Sequence, residues 1–474
     1  MDLTIVGMAI SYQHCPSLQS LKQLLFTGSP VKEGARLDPV EVVIQAVNDV
    51  SPHHQDEIGI ISPDGFNISS CKSNLAGYFD QVIEIGSFSG SINDSLQDAD
   101  RWLQGSKSRL VLITQDTKLG TSCIVLSAKN TSLPAYALLR SAEAENDLFG
   151  TGLVVFNQEF QTIPQANINE LVKLSNFVSG ESQIAQTVNP SRFFEGSGIN
   201  NLIFTALAVS EKVIPQAIYT SETDHSFLVN RDYYTPTHPR PWLSQGNDFQ
   251  RSALFVETLA DSQPGDALII QEPPLSKPQP AFQRISPSDP YLFPIGGNNQ
   301  EGLQSNLASF KQKLESSTPL SDLAILAYTQ ENTKGSAYIC SIVGADRESL
   351  LNEITHAKTG IDNAFANLKS WTSPGGSYFT PAPLGASGVA FVYPGAFNSY
   401  PNMARDLFTS FPKLHELTKE IIPNLSHSLA EEFLYPRSFS PSPEDHPEEL
   451  INDIYNHPNE LVESGISLSV LHTL

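Results

Sequence analysis

The 474-residue chain reads as an α/β protein built from more than one domain. Three observations predict this. Over roughly the first 275 residues, short continuous runs of Val, Ile and Leu alternate with stretches of helical spacing. Continuous apolar runs suit strands buried on both faces, and their alternation with helices suits a sheet covered by helices. Two connections rich in Pro, Ser or Gly, at 273–290 and 372–388, then divide the chain. Between them lies the pattern of a small α+β unit. The expected domains are therefore 1–275, 276–384 and 385–474.

The elements follow in order. Leu3-Thr4-Ile5-Val6 is the first strand, and 39–50 the helix after it. Ile58–Ile61, Val82–Ile85, Leu110–Ile113 and Cys123–Leu126 read as further strands, most of them buried on both faces. Residues 201–213 have helical character, with Ile203, Leu207 and Val213 on one apolar face. Ala267–Ile270, after the turn Pro264-Gly265-Asp266, closes the first block. In the middle block Tyr291–Pro294 is a strand. Leu303, Leu307, Phe310 and Leu314 then mark a helix, 337–343 a strand, and Leu350, Leu351 and Ile354 a second helix. Beyond 385, Val389–Tyr393 reads as a buried strand ending in a Pro-Gly turn. Residues 401–411 read as a helix with proline at its first position. Val462, Ile466, Val470 and Leu474 recur every four residues, an amphipathic helix. The sequence displays no internal repeat.

Composition narrows the function classes. Lys and Arg number 28 against 51 Asp and Glu, a net charge of −23. A nucleic-acid binder needs a basic face, so that class is excluded. No apolar run is long enough to span a membrane, and the N-terminus lacks the pattern of a signal peptide, which makes a cytoplasmic location the expectation. The four cysteines, Cys15, Cys71, Cys123 and Cys340, have no metal-ligand spacing, and no two of the 11 histidines stand four apart. Neither a metal nor a bound cofactor is expected.

The run Gly388-Val389-Ala390-Phe391-Val392-Tyr393-Pro394-Gly395-Ala396-Phe397, followed by Met403-Ala404-Arg405-Asp406-Leu407-Phe408, resembles the opening of the malonyl-CoA:acyl-carrier-protein transacylase family. Ala396 stands at that family's Gln position. The resemblance implies that the backbone N–H after Pro394-Gly395, donated by Ala396, stabilises a tetrahedral oxyanion, because a backbone donor survives the change of side chain. The competing reading is a plain structural turn. The family's Gly-His-Ser-x-Gly nucleophile motif is absent from the 474 residues, so the chain is expected to be a fragment carrying the front of an acyltransferase.

The first block resembles a ketosynthase, the condensing domain of polyketide and fatty-acid synthases, and so implies a thiolase-like fold. The residues that carry this are Leu3-Thr4-Ile5-Val6-Gly7-Met8-Ala9, Asn201-Leu202-Ile203-Phe204-Thr205-Ala206-Leu207 with Val213-Ile214-Pro215-Gln216, and Pro239-Arg240-Pro241-Trp242. The middle block looks like the linker domain between a ketosynthase and an acyltransferase. The whole order is similar to that of the B subunits of bacterial polyunsaturated-fatty-acid synthases.

The family's chemistry is missing. A ketosynthase needs a thiolate at a helix N-terminus and two histidines. The matching stretch Gly86-Ser87-Phe88-Ser89-Gly90 holds no cysteine, Ser191-Arg192-Phe193-Phe194 holds no histidine, and none lies between Leu254 and Asp266. Cys123 and Cys340 sit within strands and read as small hydrophobes. Cys15, beside His14, is placed in a loop. Ser467, in Gly465-Ile466-Ser467-Leu468-Ser469, is a helical residue and not a nucleophile, because an elbow needs a strand before it. Gly86–Gly90 is also a weak candidate phosphate loop, with no Lys after it.

Two functions follow from the resemblance. The intact protein is expected to move an acyl group, by default malonyl, from acyl-CoA to the phosphopantetheine thiol of an acyl carrier protein. Alternatively, the first block is a non-catalytic, chain-length-factor-like scaffold that pairs with a ketosynthase-bearing subunit.

Overall fold

The computed structural model describes residues 2–12, 15–27, 35–50, 55–88, 92–104, 109–117, 120–128, 131–141, 151–156, 184–188, 198–216, 233–234, 236, 239–246, 249–258, 264–274, 276–277, 290–316, 318, 320, 323–324, 327, 333, 335–384, 390, 392, 400, 402–435 and 455–473. It falls into two compact units, Met1–Gln283 with Pro394–Leu474, and Arg284–Tyr393.

In the first unit the expected strands form in order. They are β1 (Asp2–Tyr12), β2 (Gln55–Ser62), β3 (Phe79–Ser87), β4 (Arg109–Asp116) and β5 (Gly120–Ala128). Helices α1 (Leu18–Thr27) and α2 (Pro39–Asn48) lie between β1 and β2 in the chain, α3 (Ile68–Leu75) between β2 and β3, and α4 (Ile92–Leu103) between β3 and β4. Helix α2 starts where the sequence dictates: Asp38 caps it, accepting from the Val40 N–H at 2.9 Å, and Pro39 opens the first turn. Val40, Val42, Val43, Ala46 and Val47 are its buried residues. It lies so close to β1 that a Cβ on Gly7 would overlap the Ala46 carbonyl oxygen.

The sheet order of this half is β3-β2-β4-β5-β1. Strands β2, β3 and β4 are parallel, and β5 runs antiparallel to both β4 and β1. The chain then repeats the motif with β6 (Ala137–Ser141), β7 (Thr151–Phe156), β8 (Ile184–Val188), α5 (Gly198–Ser210), β12 (Ser252–Thr258) and β13 (Pro264–Gln271). Their order is β8-β7-β12-β13-β6, with β7 parallel to β8 and β12, and β13 antiparallel to β12 and β6. The halves meet where β1 pairs antiparallel with β6. Short β10 (Tyr233–Tyr234) adds beside β8, and β9 (Val213–Ile214) pairs with β11 (Arg240–Pro241). No repeat shows in the sequence, yet the architecture contains one. The topology is duplicated, and strand order and direction repeat without residue identity repeating.

Asp49, next to α2, helps to join the halves. It accepts from the Met8 N–H and the Tyr136 hydroxyl, both at 3.1 Å, and pairs with Lys277 at 3.5 Å. Helix α5 is buried on every side, and its polar Asn200 is accommodated by donating to the Tyr12 hydroxyl at 2.9 Å. Val213 lies not on its face but in β9.

Beyond 394 the described elements of this unit are helices: α8 (Arg405–Ser410), α9 (Leu414–Ile421), α10 (Leu425–Ser428), α11 (Glu431–Leu434) and α12 (Pro458–Thr473). Phe408, Leu414, Leu425, Leu429, Leu434, Tyr435, Leu468 and Leu471 pack with Leu243 of the first block. Three expectations change here. Of the strand at 389–393 only Ala390 and Val392 are described. Neither is in a strand, and Val392 is 89% exposed. The helix of 401–411 begins only at Arg405, because Asn402 and Ala404 hold positive φ angles of 65° and 61°. Pro401 lies outside the described residues. In α12 the buried residues are Leu461, Ser464, Ser467, Leu468 and Leu471, while Val462 and Ile466 are exposed.

The second unit is a sheet of order β14-β15-β17-β16, antiparallel throughout, made of β14 (Tyr291–Gly297), β15 (Tyr338–Gly344), β16 (Trp371–Thr372) and β17 (Tyr378–Phe379). It packs on α6 (Gln300–Leu314) and α7 (Arg347–Asn367). All four predicted core residues of α6 are buried. Asn299 caps α6, accepting from Gly302 N–H at 2.7 Å, and Asp346 with Ser349 forms a capping box on α7.

Candidate active site

The stretch Gly86–Gly90, expected to match the ketosynthase nucleophile region, begins at the end of β3 and precedes α4. Phe88 continues the pairing with its N–H donating to the Ser62 carbonyl at 2.9 Å, and the Ser87 hydroxyl donates to Asp64 Oδ1 at 2.8 Å. Residues 89–91 lie outside the described residues, and α4 begins at Ile92. Its buried residues Ile92, Leu96, Ala99 and Leu103 fix it on the sheet. Asn93 and Ser95 are also buried in its first turns. The fold therefore builds the helix, yet no cysteine occurs between Cys71 and Cys123.

Those two cysteines serve packing. Both are fully buried in the apolar cluster of α2, α3 and the sheet, to which no residue of α4 contributes. Burial pushes the Cys71 thiol up to about 11, with Asp38 adding to the effect, and raises Cys123 well above its ordinary value. Cys15 is pushed up to about 12 by burial. It lies in the loop between β1 and α1. Its backbone pairs with Tyr12 in an isolated bridge, each N–H donating to the other's carbonyl at 3.0 Å. Cys340 is likewise raised to about 12 by burial in β15. None of the four is a poised thiolate.

The other expected site residues fare as follows. Gly395 and Ala396 lie outside the described residues, as do residues 191–194 and His14. Leu254 and Phe255 are buried in β12, and residues 259–263 are not described. Ser467 is 4% exposed within α12, with helix on both sides, as the sequence predicts. Among the described residues no group of three or more His, Cys, Asp and Glu stands together to hold a metal ion, and no helix is long and apolar enough to cross a membrane.

Sequence reasoning missed a charged joint between the first block and the C-terminal helices. Arg240 of β11 pairs with Glu431 of α11, and their side chains are 4% and 8% exposed. Ser426 also donates to Glu431. Lys212 pairs with Glu416 at 3.0 Å, and Arg251 pairs with Glu272 at 2.9 Å while its Nε donates to the Trp242 carbonyl at 2.6 Å. His415 is buried against Phe408, ring centroids 4.8 Å apart. Burial, with Arg251 and Lys212 nearby, pushes it well below its ordinary value, so it is neutral. Pro239-Arg240-Pro241-Trp242 was the only sequence signal at this place.

No family model matches the chain. Curated relatives do. The non-reducing polyketide synthase PKS12 of Gibberella zeae is 25% identical over 222 residues, 45% of this chain and 10% of the relative. Polyketide synthase GfsA of Streptomyces halstedii is 28% identical over 223 residues, 46% of this chain and 3% of the relative. The B subunit of the polyunsaturated fatty acid synthase from a Thraustochytrium species is 33% identical over 91 residues, 19% of this chain and 4% of the relative. Parts of the chain are thus similar to polyketide synthases and, over 91 residues, to a polyunsaturated-fatty-acid synthase subunit. The matched stretches span a tenth or less of these proteins. Among solved structures, the ketosynthase from module 6 of the Bacillus subtilis bacillaene synthase covers 80% of this chain and 87% of its own, at 12% identity and a TM-score of 0.43. The ketosynthase from module 1 of the Bacillus amyloliquefaciens bacillaene synthase covers 76% and 85%, at 10% identity and a TM-score of 0.44. The strand order of the first unit is duplicated within one sheet, five strands on either side of the β1–β6 pairing, with β10 added at one edge.

Proposed function

We propose that this chain is a non-catalytic, ketosynthase-like scaffold of a polyketide or polyunsaturated-fatty-acid synthase, and that its first unit pairs with a ketosynthase-bearing subunit. One observation carries the reading. No cysteine occurs in the sequence between β3 and α4, the stretch expected to match a ketosynthase nucleophile, while all four cysteines are buried as thiols. Strand β3 ends the sheet, with β2 on one side only, so it offers a row of backbone groups to a second sheet. The test mixes the full chain with a purified ketosynthase-bearing synthase subunit and follows mass by sedimentation. A defined complex is expected. The first unit alone should support no condensation, and no cysteine should react with an alkylating agent faster than a free thiol at neutral pH. A fast cysteine, or no complex with any such subunit, refutes the reading.

The second reading is acyl transfer by the longer protein, from acyl-CoA to an acyl carrier protein, with the Ala396 N–H as oxyanion donor after Gly395. The Pro394-Gly395-Ala396 run and the partial match to the polyunsaturated-fatty-acid synthase relative support it. Under this reading the chain of 474 residues, lacking Gly-x-Ser-x-Gly, stays unlabelled by malonyl-CoA, and a longer chain that includes the nucleophile takes up the label on a serine.

A further inference from the structure

Strand β3 differs from the other strands of its half in what it exposes. Asp80, Gln81, Glu84 and Ser87 are exposed, Val82, Ile83 and Ile85 are half-buried, and the strand has no Lys or Arg. Asp80 and Glu84 stand two positions either side of Val82. Val82 lies opposite Ile58 and Glu84 opposite Ile60, so the three share one face of the sheet. Nearby cations are committed elsewhere. Arg109 pairs with Glu57 at 2.6 Å, and Arg101 of α4 pairs with Asp98 at 2.6 Å. Neither Asp80 nor Glu84 forms an ion pair or hydrogen bond among the described residues.

These two carboxylates restrict what can pair with the edge. A second copy of the chain would have to add its own β3 antiparallel about a two-fold axis normal to the sheet. Centred on Val82, that pairing sets Asp80 directly opposite Glu84, twice. Centred on Gln81 or on Ile83, it sets Asp80 diagonal to Asp80, or Glu84 diagonal to Glu84. Opposite and diagonal side chains on one face are within interacting range, and like charges there are unfavourable. Each of these three registers of self-pairing is therefore penalised. A partner strand with Lys or Arg at those two places turns the same geometry into attraction.

We propose that the β3 edge rejects a second copy of this chain and selects a partner strand carrying basic residues opposite Asp80 and Glu84. This rests on the scaffold reading and adds the partner's chemistry to it. The partner is a different chain, so the assembly is a heteromer.

The test uses the chain as its own probe. Asp80→Lys/Glu84→Lys alters two exposed positions and should fold as the wild type does, which circular dichroism checks. Wild type, variant and their equimolar mixture are compared by sedimentation equilibrium at about 50 mM salt, where surface charges are weakly screened. The mixture should associate about tenfold or more tightly than either protein alone, and lose that advantage near 500 mM salt. Equal association of wild type alone and mixture overturns the proposal, and so does a mixture that stays monomeric. The same pair of proteins is then mixed with the ketosynthase-bearing subunit. Binding of wild type with about tenfold weaker binding of the variant supports both readings. Equal binding of the two overturns the charge proposal and leaves the scaffold reading standing. Binding of neither overturns the scaffold reading, and with it the partner assigned to the edge.

Discussion

Replacing Glu431 by Ala should unfold the first unit far more easily than an average surface substitution. The carboxylate meets Arg240 where both side chains are less than a tenth exposed. Removing it leaves a guanidinium charge in a place with little water. Breaking such a pair costs roughly 3–5 kcal/mol, most of it desolvation of the stranded partner. The Ser426 hydroxyl loses its acceptor at the same time. If that account is right, the cost belongs to the stranded charge and not to lost attraction. Arg240→Met/Glu431→Leu, which removes both charges and keeps the volume, should then recover nearly all of the stability. Urea unfolding of the full chain at neutral pH is the assay, read by tryptophan fluorescence in a Trp371→Phe background so that the second unit is silent. Trp242 is two residues from Arg240 and 3% exposed, which makes it the natural reporter. The midpoint should fall for the single variant with the slope unchanged, and return for the double variant. A loss below about 1 kcal/mol for Glu431→Ala, the range of exposed pairs, would mean that the C-terminal helices are not seated on β11. A double variant as poor as the single would show that attraction, not desolvation, is the dominant factor.

Two further outcomes are expected. His415 is held neutral in the folded state while a histidine in the unfolded chain titrates near its ordinary value, so the unfolded state binds more protons as acidity increases. The stability of the first unit should be full above about pH 6.5 and fall by up to about 1.4 kcal/mol per pH unit below it, and His415→Gln should flatten that slope. An unchanged slope refutes this. In the second unit, a Cβ on Gly360 of α7 would overlap the Trp371 indole. Gly360→Ala should therefore cost about 1–3 kcal/mol despite its gain in helix propensity, with the loss read from Trp371 fluorescence. A stabilised variant would place the indole elsewhere.

How much of this was legible depends on what each feature rests on. The strands of the first half were readable because Ile58–Ile61, Leu110–Ile113 and Cys123–Leu126 are apolar without interruption, as a doubly covered strand demands. The face of α12 was misread for a geometric reason. Val462, Ile466 and Val470 follow a strict four-residue step, which drifts around a helix of 3.6 residues per turn. Leu461, Ser464, Leu468 and Leu471 mix steps of three and four and stay on one side. The duplicated topology was invisible because it lies in pairing order, which long-range contacts choose. The Arg240–Glu431 joint was invisible too, since the partners are 191 residues apart.

The candidate site divides in the same way. Part of its framework was legible, the strand at 82–85 and the Gly/Ser stretch after it, while the helix α4, whose Ile92, Leu96, Ala99 and Leu103 step by four, three and four, was not read. Its chemistry could be read only as missing. These facts are linked physically. The buried face of α4 is satisfied by apolar side chains alone, and a nucleophile at the helix N-terminus would add nothing to that packing. Loss of a cysteine there therefore leaves the core intact, and the core cannot report on catalysis. The edge of β3 can report on assembly, because Asp80 and Glu84 contribute no buried contact that folding needs. Substitutions in the core will register as stability, and charge changes on β3 as partner choice. Observing both effects for one substitution at Asp80 or Glu84 would break this separation.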